Sequence, residues 1–313
     1  MSVYLVRRLL ATIPVMGVVA VFVFGLLHLT PGDPAAIIAG DYATAEDIAR
    51  IHTQLGLDRP LHVQFVDWLG QILRGDLGTS IFSQRPVAEL IGQRLEPTIV
   101  LSVTTLVLAI ALAVPIGVLA ARRAGTWLDR LVMGFAVFGF SVPVFVLGYL
   151  LIYLFAIQLG WLPVQGYVGL DRGLWPCLRS VLLPSFALGT VYMALIARIT
   201  RASVLEVLSE DYIRTAQAKG LPPRAVLLGH ALKNASVPIV TIIGIGLTLL
   251  IGGVVITESV FALPGVGRLT VDAILRRDYP IIQGVILIFS GVYVLVNLLI
   301  DISYTFLDPR IRY

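Results

Sequence analysis

The stretch Glu210-Asp-Tyr-Ile-Arg-Thr-Ala-Gln-Ala-Lys-Gly-Leu-Pro-Pro-Arg-Ala-Val-Leu-Leu-Gly-His-Ala-Leu-Lys-Asn234 lies between two runs, 181–197 and 235–257, that contain no Asp, Glu, Lys or Arg. Gly220 and the following Leu221-Pro222-Pro223 punctuate it. Glycine tolerates the left-handed C′ position that ends a helix, and proline suits a first helical turn. The spacing predicts two helices hinged at Gly220, lying against a membrane face. A long polar segment kept between two apolar spans also predicts a docking surface.

Composition places the rest of the chain in a bilayer. Hydrophobic residues make up 58% and charged residues 13%, about half the ~25% of soluble domains. Charge-free windows occur at 9–29, 99–121, 131–159, 181–197, 235–257 and 281–300, each near or above the ~17–25 residues that a helix needs to cross hydrocarbon. These runs are apolar on all sides, unlike the ~9–11 alternating residues of a barrel strand. The expected fold is an all-α membrane protein with six transmembrane helices. The first run follows Arg7-Arg8 and is longer than the ~7–15 residues of a signal h-region; with no small-x-small site after it, it reads as a retained anchor.

Orientation follows from the basic residues. Counting loops alternately, thirteen of the 23 Lys and Arg fall on the side of both termini and the 198–234 loop, while thirteen of the 19 Asp and Glu fall on the other. Both termini and that loop are therefore expected to face the cytoplasm. The net charge of +4 is ordinary for such a topology and calls for no nucleic-acid partner.

The sequence carries no arrangement for catalysis. Its two lysines, Lys219 and Lys233, precede Gly220 and Asn234, so the Gly-Lys-(Ser/Thr) ending of a phosphate-cradling loop is absent. His28, His52, His62 and His230 are scattered without metal-ligand spacing, and Cys177 is alone, so neither a metal site nor an intrachain disulfide is expected. Asp301, just past the last apolar run, reads as an interfacial residue, since a proton relay needs charges deep in the membrane.

The loop of about residues 30–98 is large enough for structure of its own. Thr44-Ala-Glu-Asp47 resembles a capping box, and Ile48, Ile51 and Leu55 follow on one helical face. A second amphipathic segment runs from about Leu61 to Leu73, with Phe65, Leu69 and Ile72 apolar and Arg74-Gly75 as a stop. These short helices either meet a partner through exposed residues such as Gln64 and Asp67 or plug the bundle. Pro115, Pro143, Pro184 and Pro238 are expected to bend their spans. Gly246 and Gly253, with Gly244 and Gly252 beside them, leave a smooth face for another backbone, within the chain or from a second subunit.

Several motifs carry a resemblance. The hairpin is similar to the cytoplasmic EAA loop of ABC-importer permeases, whose pattern is Glu-Ala-Ala, three residues, Gly, nine residues, then Ile-x-Leu-Pro. Those places hold Arg214-Thr215-Ala216, Gly220 and His230-Ala231-Leu232-Lys233. The peptide-permease branch is similar in its Tyr-(Val/Ile)-Arg-Thr-Ala-x-Ala-Lys-Gly and later His-x-Leu-(Arg/Lys)-Asn-Ala, as at Tyr212 to Gly220 and His230 to Ala235. Thr30-Pro-Gly-Asp-Pro34, Gly75-Asp-Leu-Gly-Thr-Ser80, Arg94-Leu-Glu-Pro97, Thr257 to Leu269, Arg277-Asp-Tyr-Pro280 with Gln283-Gly284, and Leu307 to Arg312 extend the likeness along the whole chain. It resembles the dipeptide/oligopeptide permeases, inner-membrane components of binding-protein-dependent transport.

The resemblance implies a type I ABC-importer (MetI-like) architecture and a non-catalytic subunit. It implies residues 1–94 as an N-terminal helix plus external loop, 95–306 as the transport core with the coupling loop 198–234, and 307–313 as a tail. It further implies a second homologous permease, two ATP-binding subunits that hold ATP and Mg, an external solute-binding protein, and the bacterial inner membrane as location. Docking of the ATPase subunits would fall to Tyr212, Arg214, Thr215, Ala216, Gly220, Leu221, Pro222 and Arg224. Peptide is the expected solute, with glutathione, nickel or another small solute as alternatives. A secondary transporter would carry intramembrane charges and symmetry between halves, neither of which is evident. A channel would leave the hairpin without a purpose.

Overall fold

The computed structural model describes residues 2–29, 35–36, 44–54 and 57–307. Among the described residues the main helices follow in the order α1 (Ser2–Leu29), α2 (Ala45–Gln54), α3 (Leu61–Leu73), α4 (Val87–Arg122), α5 (Trp127–Ser141), α6 (Val144–Leu151, prolonged by a π-helical stretch, Ile152–Gln158), α7 (Leu174–Leu208), α8 (Asp211–Ala218), α9 (Pro223–Ala225, continuing through a π-helical turn, Val226–Ala231, into Leu232–Asn234), α10 (Ser236–Val260), α11 (Val266–Arg276) and α12 (Tyr279–Leu307). Among the described residues there is no named strand, only an isolated bridge between Thr79 and Pro86. The turns at Thr30 to Pro34 and the tail after Leu307 lie outside the described residues, as do Leu55 and the side chains of Asp47 and Ile51.

Among the described residues five helices are long and apolar enough to cross a membrane: Leu10–Leu29 within α1, α4, α7, α10, and Tyr279–Ile302 within α12. The expected span at 131–159 is different. It is two helices, α5 and α6, bent by 106° at the break between them, and it makes a sixth span only if the pair is counted as one. The cause is local. Steric conflict with a proline ring drives the preceding residue out of helical geometry, and Val142 is extended at φ −92°, ψ 121°, with Pro143 at φ −58°, ψ 139°. The other prolines act less strongly. Pro115 and Pro184 sit inside α4 and α7, which remain continuous, and Pro238 falls in the first turn of α10, where no helical N–H is lost.

The chain divides into two compact units, Met1–Glu96 with Gly265–Leu295, and Pro97–Pro264 with Val296–Tyr313. In the first, Val87 and Ile91 of α4, Val266, Leu269 and Ala273 of α11, and Ile281 and Val285 of α12 form the core. Gln283 of α12 donates to the Val23 carbonyl of α1 at 3.2 Å. The amphipathic helix α3 follows its expected limits. Gly75 at φ +83° ends it, with Gly75 N–H on Ile72 O and Asp76 N–H on Gln71 O, a Schellman stop. Phe65 and Trp68 of its apolar face rest on Phe24 of α1, at ring separations of 5.3 and 5.6 Å. Gln64 is not a free surface group, because its amide donates to the carbonyls of Leu57 and Arg59. Asp67 is exposed and pairs with Arg59 at 3.2 Å.

The second unit is built around α7. Leu188, Met193 and Ile196 of this helix pack among Leu101 and Ala109 of α4, Val254 of α10, and Phe261 and Leu263. Three neighbours each bring a glycine to it: a Cβ on Gly117 of α4 would lie 2.7 Å from the Ala197 carbonyl oxygen, one on Gly139 of α5 3.0 Å from the Ala194 Cβ, and one on Gly253 of α10 2.6 Å from Leu188 Cδ1. Within lipid, helices associate through such close packing rather than through water exclusion. The smooth face of α10 is thus used within the chain by Gly246 and Gly253 against α7 and by Gly244 against Ile300, while Gly252 faces open space.

Candidate functional site

The polar hairpin begins where α7 ends, and the first eleven residues of the 198–234 segment are still α7. Glu210, extended at φ −71°, ψ 147°, starts α8, and the Arg214 N–H reaches its carbonyl. At the other end Gly220 takes φ +79°. Its N–H bonds the Gln217 carbonyl at 2.9 Å and the Leu221 N–H bonds the Ala216 carbonyl at 3.3 Å, so the expected left-handed stop is again a Schellman motif. Pro222 then precedes the next helix and Pro223 opens it, where a missing N–H costs nothing.

A small core fixes the hairpin in place. Ile213 and Ala216 of α8 bury themselves against Val226 and Ala231 of α9, with Val207 and Leu208 at the end of α7 completing the cluster. Leu227 and Leu232 of α9 turn toward a second cluster, made by Val118 and Ala121 of α4, Val204 of α7, and Ala235 and Ile239 at the start of α10. Asn234 ties the two arms together, donating to Tyr212 Oη and to the His230 carbonyl, both at 2.9 Å. The hairpin is thus packed against the ends of α4, α7 and α10.

Seven of the eight sequence-predicted site residues, Tyr212, Arg214, Thr215, Gly220, Leu221, Pro222 and Arg224, are exposed on this hairpin, and the eighth, Ala216, is buried. Ala216 thus supports the hairpin from within. Arg214 pairs with Asp211 at 3.2 Å on a fully wetted surface, where solvent screening leaves such a pair to orient side chains more than to stabilise them. Among the described residues no carboxylate pairs with Arg224. Along the hairpin Arg214, Lys219, Arg224 and Lys233 are exposed, against the exposed carboxylates Glu210 and Asp211, so its open surface carries a basic excess.

One nearby pair escaped the sequence reading. Arg201 of α7 holds the Asp129 carboxylate of α5 through both Nε and Nη2, the latter at 2.7 Å. Gly125 N–H bonds the same carboxylate at 2.9 Å. With only 6% of the Asp129 side chain exposed, this clamp anchors the α4–α5 turn to α7 just before the hairpin begins. No local signal joins residues 72 positions apart. Among the described residues no cluster of His, Cys, Asp and Glu could hold a metal ion.

The described residues are helical, with five or six apolar spans, which is the class of a multi-pass helical membrane protein. The chain belongs to the family described as the binding-protein-dependent transport system inner membrane component, whose model matches residues 113–313, and the model of that family's N-terminal part matches residues 1–103. It is therefore a permease component of an ABC importer. Over 313 residues, all of both chains, it is 58% identical to the probable peptide ABC transporter permease protein y4tP of Sinorhizobium fredii. Over 310 residues, 99% of each chain, it is 47% identical to the glutathione transport system permease protein GsiC of Salmonella typhimurium and 46% identical to GsiC of Escherichia coli. Its fold resembles a chain of the inward-facing MetNI methionine ABC transporter, with a TM-score of 0.59 and 18% identity, covering 70% of this chain and 96% of that one.

Proposed function

We propose that this permease carries peptides, and that the hairpin of residues 209–234 is where separate ATP-hydrolysing subunits dock. The observation that carries the docking role is the hairpin's construction: an exposed surface with an excess of basic residues, Arg224 among them, on a segment whose buried face is packed into the ends of three long helices. The complex consists of this chain, a second homologous permease, two ATP-binding subunits that hold ATP and Mg, and an external solute-binding protein. Closure of the ATPase pair around nucleotide pushes the hairpins together, the outer ends of the bundles part, and hydrolysis resets them. A lever of this kind needs a rigid element with two stable positions. Solute contacts within the path are weak, since a path must release what it accepts.

Peptide as the solute is supported by the relative named a peptide permease, which is similar over the whole chain. A second reading, glutathione, is supported by the relatives named for it. Uptake of a labelled tripeptide, in competition with glutathione, separates the two: inhibition of tripeptide uptake by excess unlabelled peptide but not by glutathione supports the first. Uptake of glutathione alone overturns it. The orientation, with both termini and the hairpin in the cytoplasm, is tested in a Cys177→Ser background, since Cys177 is the chain's one cysteine. Asp58→Cys should react with an impermeant thiol reagent in intact cells, and Arg224→Cys only after permeabilisation. The reverse pattern at either position overturns the assignment.

A further inference from the structure

We propose that Arg198 lines the water-filled solute path of this permease and holds a carboxylate of the passing solute; the choice of ligand rests on the peptide reading above. Of the most apolar window of α7, 78% is buried. Its neighbours cover three sides: α5 at Thr190 and Ala194, α10 at Leu188 and Tyr192, and α4 at Ala197 and Thr200. At about 3.6 residues per turn, Val191, Leu195, Arg198, Ala202 and Leu205 fall on the remaining side, between the α5 and α10 contacts. None of the five is buried. The central helix thus keeps an open stripe with an arginine in it, apart from the apolar groove that Phe186 lines with α4 and α5.

The direction of the Arg198 side chain argues for a path rather than a lipid surface. Helix α5 runs antiparallel to α7, since Asp129 in its first turn meets Arg201 and Gly139 near its end abuts Thr190 and Ala194. Phe140 therefore lies level with residues 190–194, and the Arg198 guanidinium carbon sits 5.5 Å from the centroid of its ring. The side chain follows the N-terminal tilt of helical side chains and keeps that direction to its end, so the charge lies inside the span and not at the end where the charge-free run stops, which a lipid-facing arginine would reach by snorkelling. Arg201, one turn on, is neutralised by Asp129, whereas among the described residues no carboxylate pairs with Arg198. A charge within a span is tolerated where it meets water or an opposite charge, and the open stripe admits both. The Phe140 ring attracts the guanidinium as a cation without accepting a conventional hydrogen bond, which leaves N–H donors to fork onto a carboxylate.

The test uses the complete transport complex in proteoliposomes. In the Cys177→Ser background, Arg198→Cys should be modified by a small, water-soluble, anionic methanethiosulfonate. Absence of reaction would place the residue against lipid or a partner subunit and overturn the proposal. In parallel, uptake of labelled trialanine and of its C-terminal amide is measured for the wild type, Arg198→Gln and Arg198→Lys. Trialanine uptake should fall at least about tenfold in Arg198→Gln, as expected for loss of one charge-assisted contact. Uptake of the amide should change less than about twofold, and Arg198→Lys should recover part of the trialanine rate. Equal losses for both peptides overturn the carboxylate contact. A wild-type complex that moves neither peptide but moves glutathione overturns the peptide reading alone. Glutathione, which carries carboxylates, then serves as the probe, and unchanged glutathione uptake in Arg198→Gln overturns the contact.

Discussion

The Ser80 hydroxyl donates to the Asp278 carboxylate at 2.6 Å across 198 positions of sequence. The second carboxylate oxygen accepts the Ile81 N–H at 3.2 Å, and Ser80 Oγ in turn accepts the Ser83 N–H. Two motifs that stand far apart in the chain, Gly75 to Ser80 and Arg277 to Gln283-Gly284, thereby form one structure. Gly78 faces Pro280, and Gly284 admits Val87 and Leu77 to α12. Asp278 is 2% exposed and Ser80 1%, so the latch is dry.

A buried acceptor that loses its donor bears the desolvation of its charge, about 1–3 kcal/mol or more for an ion. Ser80→Ala and Asp278→Ala should each destabilise the first unit by about that amount. The double variant should cost less than the two single changes together, giving a coupling of about 1 kcal/mol or above. Thermal unfolding of the detergent-purified permease measures it, and strictly additive losses would show that the two groups are not coupled.

Local signals made part of this fold legible from sequence. Gly220, Pro222 and Pro223 act within one turn of where they stand, and the hairpin has the expected stop and start. The charge-free windows located the apolar helices but not their ends. Helix α7 continues through Arg198 and Arg201 to Leu208, and α4 begins at Val87, before its window, because a helix backbone continues wherever its own hydrogen bonds are satisfied. Within the window 131–159 Pro143 marked the bend, but not its size of 106°, which comes from the extended geometry that the proline imposes on Val142. Ser80 with Asp278 and Asp129 with Arg201 were illegible for another reason: each pair is joined by the path of the chain, and nothing near either partner records the other.

Glycine contacts around α7 predict a sharp contrast between two small substitutions. In Gly117→Ala the new Cβ would lie 2.7 Å from the Ala197 carbonyl oxygen and 2.8 Å from Thr200 Cβ, so α4 and α7 must separate. Such overpacking costs about 1–3 kcal/mol. Gly252→Ala meets nothing within 4 Å, and alanine favours a helix by about 1 kcal/mol over glycine, so no loss of stability is expected. Retained fluorescence of a fused reporter after heating in detergent ranks the two, and equal behaviour would show that the α4–α7 contact is slack.

The Asp129–Arg201 clamp should be strongly asymmetric to repair. Removing either partner leaves a charge in a largely closed site, a loss on the order of 3 kcal/mol when a buried pair is broken, moderated here because 24% of the Arg201 side chain is exposed. Exchanging the pair as Asp129→Arg with Arg201→Asp restores opposite charges but not function of the turn, since Asp129 also accepts the Gly125 N–H. The exchanged protein should therefore recover less than half of the lost stability. Full recovery by thermal unfolding would show that charge alone, and not the acceptor for Gly125, holds the turn.

Gly220 offers the most direct test of the hairpin as a lever. A Cβ there would meet nothing within 4 Å, yet φ is +79°, so any penalty comes from the backbone. A β-branched residue in that geometry is strained by roughly 1–2 kcal/mol, and Gly220→Val relieves this by turning α9 away from the small core of Ile213, Ala216, Val226 and Ala231. Gly220→Asn, which tolerates the left-handed region better, should be milder. Gly229→Ala, in a helical stretch with open space around it, should be neutral. Co-purification of ATPase subunits and solute uptake should therefore fall in the order Gly229→Ala, Gly220→Asn, Gly220→Val, with the apolar spans still inserted in every case. Normal assembly and uptake in Gly220→Val would show that the turn's geometry does not transmit the ATPase stroke, and would remove the hairpin's claim to be the docking element.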